Sequence, residues 1–577
     1  MKLTKKIILA AAVLSLTGFV YAQDYEEEEP PIEPSLSIGG SAEVTGRSWT
    51  DLRDSNGERA KNVETKTEGN AALKLHFDYE GTSSLLNAKL KFDRTSLEKG
   101  NYKDIFDEFK ATAIFGNWTF EAGKMRIVWG KTDKVHVLDN FNANDYSDFL
   151  IPDYNDRRIA EPMFRVMYAT PFASNLKFEA VYTPVMTPDR LGTGVWTPKA
   201  AKTLTDNVTA TAKGNYAATV TAAEEARKLA AEIAAASDAY KAAAQLHMAD
   251  ALSGSPTGAY KASFDASKKA LTDVVTANAA TLMKYGLNPT NEDTIASTLE
   301  DAAKGYLTDA VTAQNLALTN LSGLSNDSSF LYPDTNQLKY GQAGLRTTFI
   351  AGPLDLGFSY YYGHLKQPSF NALKFNTAMT KYVTTGNLSE EDKFLAYDKV
   401  QIFGLEGAFI TPWWLLSLNS RFEFAYNMTE DTKGDDPFIH NNSLNWVVGF
   451  DRDIPVHNIN LNIQTQGKYI LKNDKIKDGI YKAYDVDNDP DDCYTNMKII
   501  FDITDTWYYE NIKLDLKGIY GIERKDFVFM PSLSVRTAGG NLIITGSGLV
   551  MWCKDEKSEF DGWNHNSFAQ IGIKYNF

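Results

Sequence analysis

Over the last nine residues of this chain, Ala569, Ile571, Ile573, Tyr575 and Phe577 alternate with Gln570, Gly572, Lys574 and Asn576. A side-chain period of two with one greasy face describes a strand with hydrocarbon on one side and polar surroundings on the other. The same alternation runs through Leu36, Ile38, Ala42 and Val44, through Ala71, Leu73, Leu75, Phe77 and Tyr79, and through Leu86, Ala88, Leu90 and Phe92. It recurs near 105–115, 118–129, 162–170 and 175–183, and again from about residue 338 to the end, giving about eighteen strands. Short turns at Gly81-Thr82-Ser83, Gly116-Asn117, Ala351-Gly352-Pro353, Thr411-Pro412 and Ala538-Gly539-Gly540 alternate with mostly longer polar loops near 51–68, 131–160, 365–397, 428–442 and 471–494. The expected fold is an all-β transmembrane barrel of antiparallel strands with short periplasmic turns and long outer loops. An even strand count puts both termini in the periplasm. A terminal Phe577 with Tyr575 two residues before it resembles the sorting signal of the bacterial barrel-assembly machinery, which is therefore an expected partner, as is outer-membrane lipid.

The other end of the chain agrees. Lys2, Lys5 and Lys6 precede the apolar run Ile7 to Val20, and Val20-Tyr21-Ala22 is a small-x-small cleavage site, so residues 1–22 read as a signal peptide. Residues 23–34 form an acidic, proline-broken tail expected to be disordered in the periplasm. Removing the leader takes the formal charge from −15 to −18, which disfavours nucleic acid as a partner. Hydrophobic residues are only 43% of the chain while aromatics reach 12%, as expected where alternate residues meet lipid and rings crowd the interfaces.

The barrel pattern covers residues 35–199 and 331–577 and is interrupted between them. Residues 200–330 are Ala-rich with helical periodicity in three stripes: Leu229, Ile233, Ala236, Tyr240, Ala243 and Leu252; Tyr260, Phe264, Leu271, Val275, Leu282 and Tyr285; Ile295, Leu299, Ala302, Tyr306, Ala310 and Leu318. Thr290 with Asp293 fits a capping box opening the third. The expectation is an inserted helical bundle, in an outer loop or in the pore mouth.

Motifs for catalysis or cofactors fail on spacing. Gly130-Lys131-Thr132 follows Gly123 at the wrong distance for a phosphate loop and ends a predicted strand. The acidic run from Asp485 to Asp492 lacks the Gly and closing Glu of an EF-hand and reads as a solvated loop. Seven His residues are scattered without zinc spacing. Neither an enzymatic step, a metal nor a cofactor is expected. The two cysteines, Cys493 and Cys553, exclude a disulfide framework; one loop disulfide and two free thiols both remain open.

Alternation assigns the polar strand face to the lumen: Arg165, Arg346, Arg421, Glu423, Gln464, Gln466, Lys498, Asp502, Lys513 and Asp515, with Asn460, Asn462 and Lys517 beside them. About eighteen strands enclose an interior wide enough for water, so a porin or diffusion channel for small hydrophilic solutes is expected. Arg421 next to Glu423 reads equally as an ion-pair ladder across the wall. The long loop 131–160 carries Asp139, Asn142, Asp145, Tyr146 and Asp153, and is expected to fold inward as a constriction. A barrel that displays the helical insert for adhesion is the competing reading. The solute and the oligomeric state are not legible.

One segment resembles a known group. Arg126-Ile127-Val128-Trp129-Gly130, then Asp133, Leu138-Asp139, Asn142 and Asp145, followed by Arg157, Glu161-Pro162, Tyr168-Ala169-Thr170-Pro171, Pro184 and Pro188, is similar to a stretch shared by large porin-like outer-membrane barrels, many of unknown function. The resemblance covers about residues 120–190 and implies a porin-like barrel. The helical insert departs from the plain outer loop of simpler members. The Ala-rich insert and the exported acidic chain are also compatible with a spirochaete outer-membrane protein.

Overall fold

The computed structural model describes residues 34–53, 66–98, 102–171, 175–283, 295–326, 329–537 and 539–577. The leader, nearly all of the acidic tail and the Thr290–Asp293 cap lie outside them.

Eighteen antiparallel strands form one closed barrel. They are β1 (Ser35–Trp49), β2 (Thr67–Glu80), β3 (Ser84–Asp93), β4 (Phe106–Phe115), β5 (Trp118–Met125), β6 (Glu161–Ala169), β7 (Lys177–Thr183), β8 (Gln342–Ala351), β9 (Leu354–His364), β10 (Lys399–Ile410), β11 (Asn419–Thr429), β12 (Ser443–Asp453), β13 (Asn460–Ile470), β14 (Thr495–Trp507), β15 (Ile512–Gly521), β16 (Asp526–Arg536), β17 (Leu542–Cys553) and β18 (Phe568–Asn576). Each pairs with its neighbours in sequence, and β18 pairs with β1 to close the ring. Ser35 faces Glu80, and Ser41 faces Asn576, so the start of β1, the end of β18 and the short connections share one rim. The long connections leave from the other rim.

Alternation decides which residues face out. Leu36, Ile38, Phe164, Phe178, Leu345, Phe358, Phe403, Phe424, Val550 and Ile571 are large, apolar and exposed on the outer wall. In water an apolar surface of that extent is unfavourable; hydrocarbon makes it the stable face, and closure leaves no strand edge unpaired. At the seam the Phe577 amide donates to Gly40 O (3.0 Å) and the Gly40 amide to Phe577 O (2.9 Å). The Phe577 ring lies over Gly40, where a methyl group would stand 2.8 Å from its Cζ and 2.5 Å from the Lys74 carbonyl. Only a glycine allows this approach.

The period-two pattern predicts that the fifth strand continues to residue 129, but it ends at Met125. From there Ile127 and Trp129 leave the wall and bury with Leu138 and Phe141 against Val181, Tyr361, Val400, Ile402 and Ala425. Burying these side chains favours an inward turn over two more rungs of sheet.

Residues Ala200–Pro333 and Asn371–Ala396 make a second compact unit. Its helices are α1 (Lys199–Ala251), α2 (Lys261–Ala277), α3 (Ala279–Met283), α4 (Ile295–Asn326) and α5 (Ala372–Thr385). Leu229, Ile233, Leu271, Val275, Leu282, Leu299, Ala302 and Ala303 form its core, with Ala223, Ala226 and Ala310 packed closely nearby. Three predicted stripe members lie elsewhere: Leu252 is past the end of α1, Tyr260 precedes the first residue of α2 and Leu318 is on the outer face of α4, all exposed, while Tyr285 lies outside the described residues. Helix α5 comes from a stretch whose sequence reads as a polar loop. Asn371 caps it by accepting from the Leu373 and Lys374 amides, and Tyr382 stacks on Phe330 at 4.3 Å.

Candidate functional site

The segment between β5 and β6, residues 126–160, runs inside the barrel and is bonded to the inner wall on several sides. Its first half forms a buried root. Glu423 on β11 is fully buried and accepts four bonds from it: Thr132 N (3.0 Å), Thr132 Oγ1 (2.5 Å), His136 Nδ1 (2.8 Å) and Val137 N (2.9 Å). Gly130 makes this fit, at φ 115° and with no room for a side chain, since a methyl group there would stand 2.2 Å from Glu423 Oε1. Lys131 reaches Asp355 Oδ2 at 2.7 Å, and Asp133 pairs with Arg421, which also holds Asp451 at 2.8 Å. Lys134 pairs with Asp502. Asn462 Nδ2 donates to Asp133 Oδ2 at 2.9 Å, and the Gln464 amide oxygen, turned toward the segment, meets the Asp133 and Lys134 amides at 3.2 and 3.3 Å.

The second half is held differently. Arg47 on β1 clasps Asp148 through both guanidinium nitrogens (2.6 and 2.9 Å) while its Nε donates to Gln570 on β18. Phe149 stacks on Trp196 at 5.1 Å, in an apolar cluster with Trp49, Val528, Leu549, Met551, Phe560 and Phe568. Beyond it a short helix, Tyr154–Arg157, carries the tip. Asp153 meets Lys517 of β15 at 2.9 Å and Asp156 meets Lys74 of β2 at 3.5 Å. These two aspartates are 79% and 64% exposed, so the tip faces water.

The remaining residues singled out from sequence have varied surroundings. Asp139 bonds Arg158 Nη2 and Tyr154 Oη, both at 2.7 Å, and its burial raises its carboxyl above the usual range. Asn142 braces the segment, accepting from the Ile127 amide and donating to Met125 O and Ile159 O. Asp145 takes Arg190 at 2.7 Å, and burial pushes the Tyr146 phenol up to about 12. Arg165 bridges Glu179 (2.7 Å) and Glu121 (3.1 Å), while Arg346 holds Glu406 (2.5 Å) and lies 3.6 Å from Glu179. Lys498 meets Glu559 at 2.6 Å, Lys513 and Lys517 flank Asp515, and Gln466 faces Lys498 across the β13–β14 register. Tyr575 and Phe577 point outward and are about half exposed.

Sequence reasoning missed Glu121, Glu179, Glu406, Lys131, Lys134, His136 and Arg47. Glu406 had a signal, as the single charge between Val400 and Ile410, on the inward register. Lys131 and Thr132, weighed as part of a phosphate loop, are anchors of the root instead. Both cysteines are free, which closes the alternative of a loop disulfide. The acidic loop finds cations: Arg524 holds Asp489 (2.9 Å) and Asp491 (3.4 Å), Lys557 holds Asp491 (2.5 Å) and Lys482 holds Asp492 (2.7 Å). Among the described residues no three His, Cys, Asp or Glu converge as metal ligands.

No protein-family model matches this sequence, and no curated protein matches it. Among solved structures, OccK3 (OpdO) of Pseudomonas aeruginosa is similar at 6% identity and TM-score 0.38, over 94% of this chain and 95% of its own. A BenF-like porin from Pseudomonas fluorescens Pf-5 aligns at 7% identity and TM-score 0.40 (94% and 98%), and OccAB4 of Acinetobacter baumannii at 8% and 0.39 (95% and 98%). No solute, residue role or source organism carries over at such distances, and nothing in them supports a spirochaete origin. The closed ring of strands, apolar outside and polar within, makes this chain a transmembrane β-barrel.

Proposed function

We propose that the protein is a diffusion channel for small hydrophilic solutes, with residues 126–160 as its constriction and with no enzymatic step. The observation that supports this reading is the inward segment itself, held to opposite sides of a polar wall while its tip stays wet. A barrel that served only as an anchor would have no use for a water-facing, charge-paired tip. The lumen residues named from sequence then act in two groups: Glu423, Arg421, Gln464 and Asp502 seat the constriction, and Lys513 and Lys517 face the water beside it, on either side of the buried Asp515. Both termini lie in the periplasm, and Tyr575 and Phe577 present the assembly signal. Purified protein in a planar bilayer should give stepwise ion currents, and an absence of current would overturn the reading. Display of the helical unit is the second reading, favoured by the separate core of that unit. It predicts binding to a host surface that is lost on excising residues 200–330, with no ion current in either form.

A further inference from the structure

The short-turn rim is not uniform. Over most of it, among the described residues, a left-handed turn position is filled by glycine or asparagine: Gly116, Gly352, Gly539, Gly540 and Asn175 have φ between 54° and 86°. Three neighbouring turns, those joining β10 to β11, β12 to β13 and β14 to β15, use other residues. Leu416 (φ 66°) and Ser417 (49°) lie in the first, His457 (58°) in the second, and Tyr508, Tyr509 and Glu510 (51°, 56° and 63°) follow one another in the third. In that region a side chain crowds its own backbone, and three such residues in succession add their strain. Strain of this kind persists only where the surroundings enforce it, and here the turns brace one another. The Arg452 guanidinium donates to Leu416 O, His457 Nδ1 meets Asp505 Oδ1 at 2.6 Å, and Asn458 Nδ2 donates to Thr506 O at 3.0 Å. The His457 ring also lies 5.5 Å from that of Trp507. The outcome is a braced row of large side chains held off the end of the wall. Trp414 is 63% exposed, Tyr508 75% and Tyr509 fully, with Leu416 and Val456 exposed beside them.

We propose that these three turns form a docking surface for a polymer of N-acetylated amino sugars, the glycan chemistry of the bacterial cell wall. An aromatic ring presented to water offers a flat apolar face, and the apolar face of a pyranose ring is its complement. Polar groups are interleaved with the rings: Ser417, Asp453 and Glu510 are exposed, and carboxylates accept from sugar hydroxyls and acetamido N–H groups. The same carboxylates make the surface a poor seat for an anionic lipid leaflet, and the one arginine of the row, Arg452, is turned back onto Leu416 O. Successive hairpins stand two strand spacings apart, about 10 Å, which is close to the length of a disaccharide. The rings of Trp414, His457 and Tyr509, one on each turn, are thus spaced to meet successive repeats of an extended chain. The proposal rests on the periplasmic placement of the short turns and is independent of whether the lumen conducts.

The test is cosedimentation of the full-length protein, in lipid nanodiscs that cover its outer wall, with isolated peptidoglycan sacculi. The parent should pellet with the sacculi and be released by soluble chitotetraose, which carries the sugar and no peptide. Tyr508→Gly with Tyr509→Gly relieves the left-handed strain, so that variant should assemble into a barrel as heat-resistant as the parent and yet bind several-fold more weakly. Adding Trp414→Ser should weaken binding further, while Thr82→Ala, in a short turn outside the three, should bind as the parent does. Parent protein that stays in the supernatant, retention that chitotetraose does not release, or undiminished binding by the glycine variant would each overturn the proposal. In a Cys493→Ser, Cys553→Ser background, Tyr509→Cys should react with an impermeant thiol reagent only once the outer membrane is opened. Reaction in intact cells would remove the orientation, and the cell-wall partner with it, and would leave the channel reading standing.

Discussion

Glu423 is the residue on which most of the inward segment depends, because four donors converge on one buried carboxylate. Removing one partner of a buried charged cluster costs about 3–5 kcal/mol, since the groups left behind are desolvated and unpaired. Glu423→Ala should therefore release the root, and hydrogen exchange at the Thr132 and Val137 amides should accelerate by about two orders of magnitude; unchanged protection would show that apolar packing alone holds it. Gly130→Ala should act similarly through a clash, without touching the carboxylate. A second test concerns Asp485, whose carboxyl is raised from 3.8 to about 6, first by burial. The folded loop therefore binds more protons than the unfolded one between those values, and its stability falls as pH rises through that window. Protease nicking of residues 471–494 should be slower at about pH 4.5 than at about pH 7.5, and Asp485→Asn should remove the difference. Alternation alone was enough to turn Arg165, Arg346, Arg421 and Glu423 inward. Their partners were not legible, because Asp133, Lys134 and His136 meet the wall only after a chain reversal that no local pattern encodes.

The inward segment is one element with two kinds of attachment. The root buries Ile127, Trp129, Leu138 and Phe141, whereas the tip, tied to the root by the Tyr154–Asp139 bond, meets the wall through two ion pairs that are largely solvent-exposed. Exposed pairs contribute about 0–1 kcal/mol each and are screened by salt. Raising the ionic strength should thus speed hydrogen exchange at residues 152–157 and leave residues 127–142 protected; equal responses would contradict the division. The length and acidity of 131–160 announced an inward loop. That it begins at Arg126 was hidden, because Ile127 and Trp129 keep the strand period while serving a buried cluster. The same limit applies to the helical unit, where the stripes marked α1, α2 and α4. The extension of α1 back to Lys199 and the existence of α5 depend on packing, with Val208 and Ala212 buried and Tyr382 held by Asn320 and Phe330, distant in sequence.

For the molecule as a whole, the barrel and the helical unit should be separable in stability. Both junctions, near Lys199 and Asp334, belong to the barrel and leave from its long-loop rim, so joining them by a short Gly/Ser linker should yield a heat-modifiable, membrane-inserted barrel; failure to assemble would make the helices part of the barrel's own folding. Closure depends on the terminal strand, and Phe577→Ser removes the ring that covers Gly40, so outer-membrane insertion should fall and periplasmic protein should accumulate. The central claim is that a conducting lumen is narrowed by the segment between β5 and β6. Single-channel conductance of the intact protein, compared with a variant in which residues 147–157 are replaced by a short Gly/Ser bridge, tests it most directly. The account predicts stepwise openings in both and a several-fold larger step in the variant, whereas equal steps, or no current from either protein, would contradict it.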